Sequence, residues 1–376
     1  MLPMSTRGAA MPARRLPYHV ETRTGRAGFA ALRAEWDGLL ERGPVDLPFL
    51  RHRLLEAWLD VFAPPGAELL VLAARDEDGE PAGFAPLLVQ HRRGLVRLLS
   101  PANEHSCRVE WVLGPDASGA VAALWGHLRD RVRWDVLLLR DLPRDGPTSS
   151  LLEPLARADG HPCGRWESQR SPYLPLGKGT PVRTTARFLA NLRRRHRRLS
   201  EMGSVAVLRE EGRGDPDGVL RQFLALEASG WKGREGTALA LDGRRVDFYR
   251  RWIHEAAGRG ALAIRALTLD GHPVAMHLGL VHRGTYYLPK TAYDERLSAV
   301  SPGQLLHGQV VDECRACGLA ELDFLGPDME WKRDWGPEHR PHDWLYVYRP
   351  SLAGRALHAL KHRLRPAVKE VLRWRS

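Results

Sequence analysis

The segment from Ala261 to Trp335 constrains the fold of this 376-residue chain more than any other part. Its apolar runs are separated by Asp-Gly and Arg-Gly and lead into the polar turn Ser-Pro-Gly-Gln. Such turns predict hairpins and then a helix start, which together form a cleft for a ligand whose phosphates meet the helix N-terminus. The predicted elements are strands at Ala261–Leu269, Val274–Val281 and Tyr286–Tyr293, a helix at Leu305–Cys317 and a strand at Leu322–Leu325.

The remaining periodicities predict a similar order of elements in both halves of the chain. In the first half we predict helices at Ala27–Arg42, Leu50–Phe62, Ala117–Arg131 and Leu151–Asp159, and strands at Glu68–Ala74, Pro81–Arg92, Val96–Leu99, Val109–Leu113 and Val136–Leu139. In the second half, helices at Thr184–Met202, Asp217–Ser229 and Arg244–Arg259 and a strand at Val205–Leu208 precede the segment described above. The sequence therefore predicts an α/β protein of the α+β kind, with mixed sheets flanked by helices.

Ser171–Pro181, rich in Pro and Gly, is the predicted boundary between the halves. We expect an N-terminal domain at 18–175, a C-terminal domain at 176–350 and a basic C-terminal helix at 351–376. That helix is amphipathic, which leaves open whether it packs on the body of the protein or touches a membrane surface or another anionic partner.

Composition excludes several classes of protein. The four cysteines are too few for a disulfide scaffold, and Cys314 and Cys317 are expected as small apolar residues on the inner face of a helix. No apolar run has transmembrane length, and Met1–Pro17 lacks the apolar stretch of a secretory signal, so we expect a cytoplasmic protein. The signature motifs of dinucleotide-binding, P-loop, zincin and serine-hydrolase proteins are absent.

Two segments near the predicted cleft carry candidate catalytic and cofactor-binding residues. Ser301, Gly303 and Gln304 stand at the predicted helix start, where free backbone N–H groups face outward and could bind a phosphate. The alternative is an ordinary helix start without a ligand. Lys332, between two tryptophans, is a candidate for polarising an acyl carbonyl, or else a lysine whose stem packs on the rings.

Candidate substrate-binding residues lie in the flanking segments. Trp231 and Lys232, in the glycine-punctuated segment after a predicted helix, suggest a substrate lid. Lys290 lies on the strand that Pro289 interrupts, as expected of an edge or splayed strand. At the end of this strand, Tyr293 is a candidate proton donor and Asp294 a candidate general base, although both also suit structural roles. His277, in mid-strand, is a weaker substrate-binding candidate, since a lone strand histidine is more often structural.

The net charge of +11 favours an anionic partner, although a solvated basic surface explains it equally well. Arg193–Arg198 places charge around a predicted helix whose apolar face is formed by Phe188, Leu189, Leu192 and Leu199. A solvated basic face is the default interpretation of this helix, and binding of the phosphates of CoA, of a nucleotide sugar or of tRNA is the alternative. No DNA-binding motif accompanies it, so we expect no DNA.

The segments EASGWKGREGTAL, AYDE, SPGQLL, LDFLG and WKRDW resemble the CelD-type acetyltransferase family, a branch of the GNAT superfamily related to the Fem-type aminoacyltransferases. The resemblance covers roughly Thr184–Trp335 and, more loosely, the first half. It implies two tandem GNAT-like domains and acyl transfer from a thioester, or from aminoacyl-tRNA in the Fem relatives. Val300–Leu305 stands at the pyrophosphate-binding place with a different sequence, and Lys332 takes the place of the lysine in the Fem-type Phe-Lys motif.

The leading hypothesis is an acyltransferase that uses acyl-CoA such as acetyl-CoA, without a metal. The acceptor would be an amine or hydroxyl of a sugar-like molecule or small metabolite. Direct attack without an acyl-enzyme is expected, because no Cys or Ser lies in an activated context. Two alternatives stay open: a Fem-type enzyme that uses aminoacyl-tRNA, and a non-enzymatic component of a polysaccharide export assembly.

Overall fold

In this computed structural model the described residues are 18–177, 179–180 and 183–364. Within them, thirteen strands form one mixed sheet. The strands are β1 His19–Thr24, β2 Glu68–Arg75, β3 Pro81–Arg92, β4 Leu95–Leu99, β5 Val112–Leu113, β6 Val136–Pro143, β7 Cys163–Pro175, β8 Val205–Glu210, β9 Ile264–Leu269, β10 His272–His282, β11 Thr285–Tyr293, β12 Glu321–Asp323 and β13 Glu338–Tyr348.

The order of strands across the sheet is nearly symmetric about its centre. It runs β1-β2-β3-β4-β6-β13-β7-β12-β11-β10-β9-β8, with β5 paired to β3. In each half, an antiparallel meander is followed by one parallel pair, β4 with β6 and β11 with β12. The two halves are therefore two copies of one arrangement, joined edge to edge.

The halves exchange their last strands. β7, the last strand of the N-terminal half, pairs with β12 of the C-terminal half, while β13, at the end of the C-terminal half, pairs with β6. β7 and β13 also pair antiparallel with each other along almost their whole length. The sheet thus runs through the expected boundary near Pro175, and the division into domains at 18–175 and 176–350 stays a prediction.

Helices cover both faces of the sheet. They are α1 Gly25–Ala30, α2 Arg33–Arg42, α3 His52–Phe62, α4 Ala117–Arg131, α5 Pro147–Ala158, α6 Ala186–Ser200, α7 Pro216–Ser229, α8 Trp231–Arg234, α9 Gly243–Gly258, α10 Pro302–Ala316, α11 Glu330–Arg333 and α12 Leu352–Ala359. One continuous core packs α1 to α3 of the first half and α7 and α9 of the second against one face. The opposite face has two separate cores, one under α4 and α5 and one under α6 and α10.

Most predicted elements are confirmed within a few residues, with informative exceptions. The expected helix Ala27–Arg42 is two helices, and β1, β7 and β13 lie in segments where the sequence predicts no strand. Cys314 is buried as predicted, but the prediction was wrong for Cys317, which is exposed at the end of α10.

The C-terminal helix packs on the sheet as far as the structure describes it. His358 bonds to the carbonyl of Cys163 at 3.1 Å, and the ammonium of Lys361 lies 3.8 Å from the ring centre of Tyr346. Residues 365–376, on which half of the predicted helix falls, lie outside the described residues, so membrane contact stays a prediction. Among the described residues, no helix is both long and apolar enough to cross a bilayer.

Candidate active site

A gap opens in the C-terminal half where β11 and β12 part. The two strands pair from Thr285 with Glu321 to Tyr287 with Asp323, where β12 ends, whereas β11 continues to Tyr293. The register between β10 and β11 gains one residue on β11 between Tyr287 and Lys290, which is a β-bulge containing Pro289. The splayed strand predicted at Pro289 is confirmed, and the bulge lies where the sheet opens.

The N-terminus of α10 lies beside this gap and is not capped by its own side chain. Ser301, the residue before the helix, has the left-handed φ of 49°, and its hydroxyl donates to the carbonyl of Ser298 at 3.2 Å. In the N-terminal half, by contrast, Asp116 at the start of the equivalent helix α4 accepts from the N–H of Gly119. The positive end of the α10 dipole is therefore left without the carboxylate that α4 has.

A cavity of about 540 Å³ lies at the start of α10. It brings together four of the predicted site residues, Tyr293, Ser301, Gly303 and Gln304. A Cβ added at Gly303 would lie 3.5 Å from the ring of Tyr293, so the helix start and this strand end are close neighbours. The remaining lining residues are Arg195, Thr291, Ser298, Met329, Glu330, Trp331 and Asp334.

The side chain of Gln304 fastens α11 to the start of α10. Its amide nitrogen donates to the carbonyl of Trp331 at 2.8 Å, and its amide oxygen accepts from the indole N–H of Trp335 at 2.7 Å. The side chain of Gln304 is thus committed to holding the segment that carries Lys332. The backbone N–H groups of Gln304 and Ser301 donate to the carbonyls of Ser301 and Ser298, both at 3.0 Å, and Pro302 has no N–H, which leaves the N–H of Gly303 for a phosphate.

Lys332 is buried next to the end of β12. Its ammonium donates to the carbonyls of Leu325 and Pro327, both at 2.8 Å, and lies 5.7 Å from the ring centre of Trp331. Burial lowers the pKa of Lys332 to about 8, and the nearby carboxylate of Asp323 only partly opposes this shift. The group is a desolvated cation just beyond the end of β12, and it does not line the cavity at α10.

Asp294 is engaged by a neighbour in the sequence. Arg296 binds both oxygens of its carboxylate, at 2.7 and 3.0 Å, and donates its backbone N–H as well. These hydrogen bonds lower the pKa of Asp294. A general base at neutral pH needs a raised pKa, so this arrangement favours a capping role over proton transfer.

Lys290 lies on the other face of the sheet, because the bulge changes which side chains face α10. Its ammonium is 5.6 Å from the ring centre of Tyr249, whose hydroxyl is 2.9 Å from Nδ1 of His105. Burial and Lys290 lower the pKa of His105 to about 4. Lys290 therefore faces the junction of the two halves and not the cavity at α10.

His277 is enclosed in the core beneath α10. Its ring centre is 5.6 Å from that of His307, and burial lowers the pKa of His277 to about 3. His307 is also fully buried, and its pKa is lowered for the same reason. Both rings are therefore neutral at physiological pH, and His277 does not line the cavity.

The predicted lid contains a helical turn. α8 covers Trp231–Arg234, and Arg234 forms an ion pair with Glu295 at 2.6 Å. This pair ties the segment to the turn that precedes α10. The side chains of Trp231 and Lys232 fall outside the described part of the structure, so their substrate-binding role stays a prediction.

Sequence reasoning missed Arg108 and Asp323. Arg108 belongs to the segment between β4 and β5 of the first half, and its guanidinium donates to Asp323 and to the hydroxyl of Ser171. Asp323 lies within the quoted motif LDFLG and was not singled out. The described residues contain no group of three His, Cys, Asp or Glu side chains that could hold a metal ion.

Comparison with known proteins gives the class of the C-terminal half. Residues 186–333 match the acetyltransferase (GNAT) domain family. This match lies within the C-terminal half and covers less than half of the chain. The narrower resemblance to the CelD-type branch stays a prediction, and the comparison with curated proteins found none that matches.

Solved structures share the fold of nearly the whole chain. FemX superposes with a TM-score of 0.56 at 14% identity, covering 88% of this chain and 98% of FemX. The C-terminal domain of a putative lysylphosphatidylglycerol synthetase from Agrobacterium fabrum gives 0.52 at 13% identity, covering 88% and 95%. At these identities the likeness establishes the fold alone.

Proposed function

We propose that this protein transfers an acyl group from acyl-CoA to an amine or hydroxyl of a sugar-like molecule or small metabolite. The observation that carries the proposal is the gap between β11 and β12 beside the uncapped start of α10, within the GNAT domain. The helix dipole and the backbone N–H of Gly303 attract the pyrophosphate, and the gap admits the thioester arm.

The chemistry assigned to the site is a direct transfer. The acceptor atom attacks the thioester carbon and the C–S bond breaks. The charge of Lys332, next to Trp331 of the cavity wall, stabilises the developing oxyanion through its field and not by direct contact. Tyr293 in the cavity wall gives a proton to the departing thiolate, and the acceptor proton passes to water, since Arg296 occupies Asp294. An acyl-enzyme is not invoked, because burial raises the pKa of Cys107 to about 11 and that of Cys314 to about 12.

Calorimetry with acetyl-CoA tests the donor, and thiol release in the presence of amine and hydroxyl acceptors tests the reaction. Mass spectrometry of ligands retained by the native protein tests both without assuming an acceptor. We expect a bound CoA species and acceptor-dependent release of CoA thiol. No binding of any acyl-CoA, together with no thiol release, would reject the proposal.

A second candidate keeps the fold and replaces the donor with aminoacyl-tRNA. The arginine-rich α6 favours it, because Arg195 of this helix lines the cavity at α10. Transfer of a labelled amino acid that ribonuclease abolishes would favour this donor, and ribonuclease-resistant transfer would exclude it. If Lys332→Ala leaves cells with wild-type behaviour, the non-enzymatic role in an export assembly gains support instead.

A further inference from the structure

A second, larger cleft lies between α6 and α10, separate from the cavity at the start of α10. Its volume is about 800 Å³, within the range of pockets that hold one small molecule. Strand β7 ends at one side of it, and the segment after α11 closes another side. The transferase chemistry assigned above makes no use of this cleft.

The rim of the cleft is basic and lacks matching acids. Arg193 and Arg197 are one turn apart on α6, and Arg315 faces them from α10. Within the described ranges, none of these three guanidinium groups forms an ion pair, and Asp312 is the one carboxylate on the cleft wall. Paired guanidinium groups one helical turn apart suit the oxygens of a phosphate, since each presents a planar fork of donors.

The floor of the cleft is apolar. Leu174, Leu189, Leu305 and Trp335 contribute to it, and the indole N–H of Trp335 is already used by Gln304. A hydrocarbon chain laid on such a floor removes apolar surface from water, whereas a nucleic-acid backbone gains nothing there. The combination of an apolar floor with an unmatched basic rim therefore selects an amphiphile over a polyanion.

We propose that this cleft binds a single-chain amphiphilic phosphate, with its phosphate held between Arg193, Arg197 and Arg315 and its hydrocarbon chain on the leucine and tryptophan floor. The ligand is a free molecule and not a bilayer, because the cleft has the volume of a small-molecule pocket. The site is distinct from the proposed acyl-CoA site.

Calorimetry with dodecyl phosphate, below the concentration at which it forms micelles, tests the proposal on the full chain. The double variant Arg193→Gln/Arg197→Gln should bind it at least about tenfold more weakly, since it loses two charge-assisted contacts. The control Arg187→Gln/Arg198→Gln removes the same charge from exposed positions of α6 outside the cleft and should bind within about twofold of wild type. Dodecanol and inorganic phosphate should each bind at least about tenfold more weakly than dodecyl phosphate.

The opposite results overturn the inference. No binding of dodecyl phosphate, equal loss in both double variants, or equal binding of dodecanol would each reject the site. Binding to anionic vesicles but not to the monomeric phosphate would assign the rim to a membrane surface. RNA oligonucleotide binding that is lost in the Arg193→Gln/Arg197→Gln variant, without dodecyl phosphate binding, would assign it to nucleic acid. Acetyl-CoA is absent from the measurement, so the proposed transferase reaction can fail without affecting this result.

Discussion

The guanidinium of Arg108 and the carboxylate of Asp323 form a buried ion pair between the two halves of the chain, with side chains 3% and 1% exposed. The other oxygen of Asp323 accepts the N–H of Leu325 at 2.8 Å and so supports the left-handed φ of 54° at that residue. The carbonyl of Leu325 in turn accepts from Lys332. The first half therefore helps to position the lysine of the second.

Replacing Arg108 with Met should destabilise the whole protein, because it leaves the carboxylate of Asp323 buried without its main partner. The expected loss in the free energy of unfolding is about 3–5 kcal/mol, measured by chemical denaturation. The matched control is Arg33→Met, which breaks the exposed pair with Glu56 and should cost less than about 1 kcal/mol. Equal losses in the two variants would show that the buried pair contributes no more to the free energy of unfolding than the exposed pair does.

Lys332 should give the protein a stability that rises with pH in the alkaline range. Its pKa is about 8 in the folded state against an ordinary value of 10.5, so between these values the unfolded chain binds more protons. Stability contributed by this group therefore increases from about pH 8 to pH 10.5, by up to about 3 kcal/mol. Denaturation across this range should show the rise in wild type and lose it in Lys332→Met; the same rise in both proteins would assign it to another group.

Deprotonation of Lys332 should also make the rate of the proposed reaction depend on pH. If the charged form of Lys332 stabilises the oxyanion, kcat should fall above about pH 8 as the ammonium loses its proton. Lys332→Met should show a low rate without that fall. If kcat still falls above about pH 8 in Lys332→Met, this lysine takes no part in the reaction.

A carboxylate placed at the start of α10 should compete with the donor phosphates. Gly303→Asp is expected to weaken acetyl-CoA binding at least about tenfold, while the helix itself tolerates an acid in its first turn. Gly243→Asp, at the start of α9, adds the same charge to another helix start and should leave the affinity unchanged. Calorimetry compares the two, and equal affinities would place the phosphates elsewhere.

Gln304→Leu should loosen α11, because it leaves the carbonyl of Trp331 and the indole N–H of Trp335 without their partner. We expect a loss of about 1–3 kcal/mol in the free energy of unfolding. Exposed Gln309→Leu, on the same helix, is the control and should be nearly neutral. A neutral Gln304→Leu would show that these two hydrogen bonds contribute little to stability.

Local sequence patterns located most of the C-terminal half, and they failed where distant segments decide the structure. Periodicity and turn residues located β9 to β12 and α10, because those elements depend on neighbours in the chain. β7 and β13 were missed because both carry prolines, and their many charged residues break the apolar alternation expected of a strand. Central strands with such sequences are tolerated here because each finds its partner in the other half.

The candidate site likewise contains residues that a local sequence pattern predicts and residues that only distant contacts place. Tyr293, Ser301, Gly303 and Gln304 were predicted from one stretch of chain and do share a cavity. The β-bulge places Lys290 on the opposite face, an outcome that strand alternation alone does not give. Arg108 and Asp323 are 215 positions apart in the sequence, and no local sequence pattern predicts a contact between them.

The exchange of β7 and β13 has a consequence for synthesis of the chain. β13 is synthesised long after β6, so until then β6 presents an open edge that invites pairing with other nascent chains. β7, already made, likewise lacks β13 on one of its edges. A ribosome that stalls before residue 338 therefore releases a product in which one edge of β6 and one edge of β7 are unpaired. We expect this product to aggregate instead of persisting as a folded fragment.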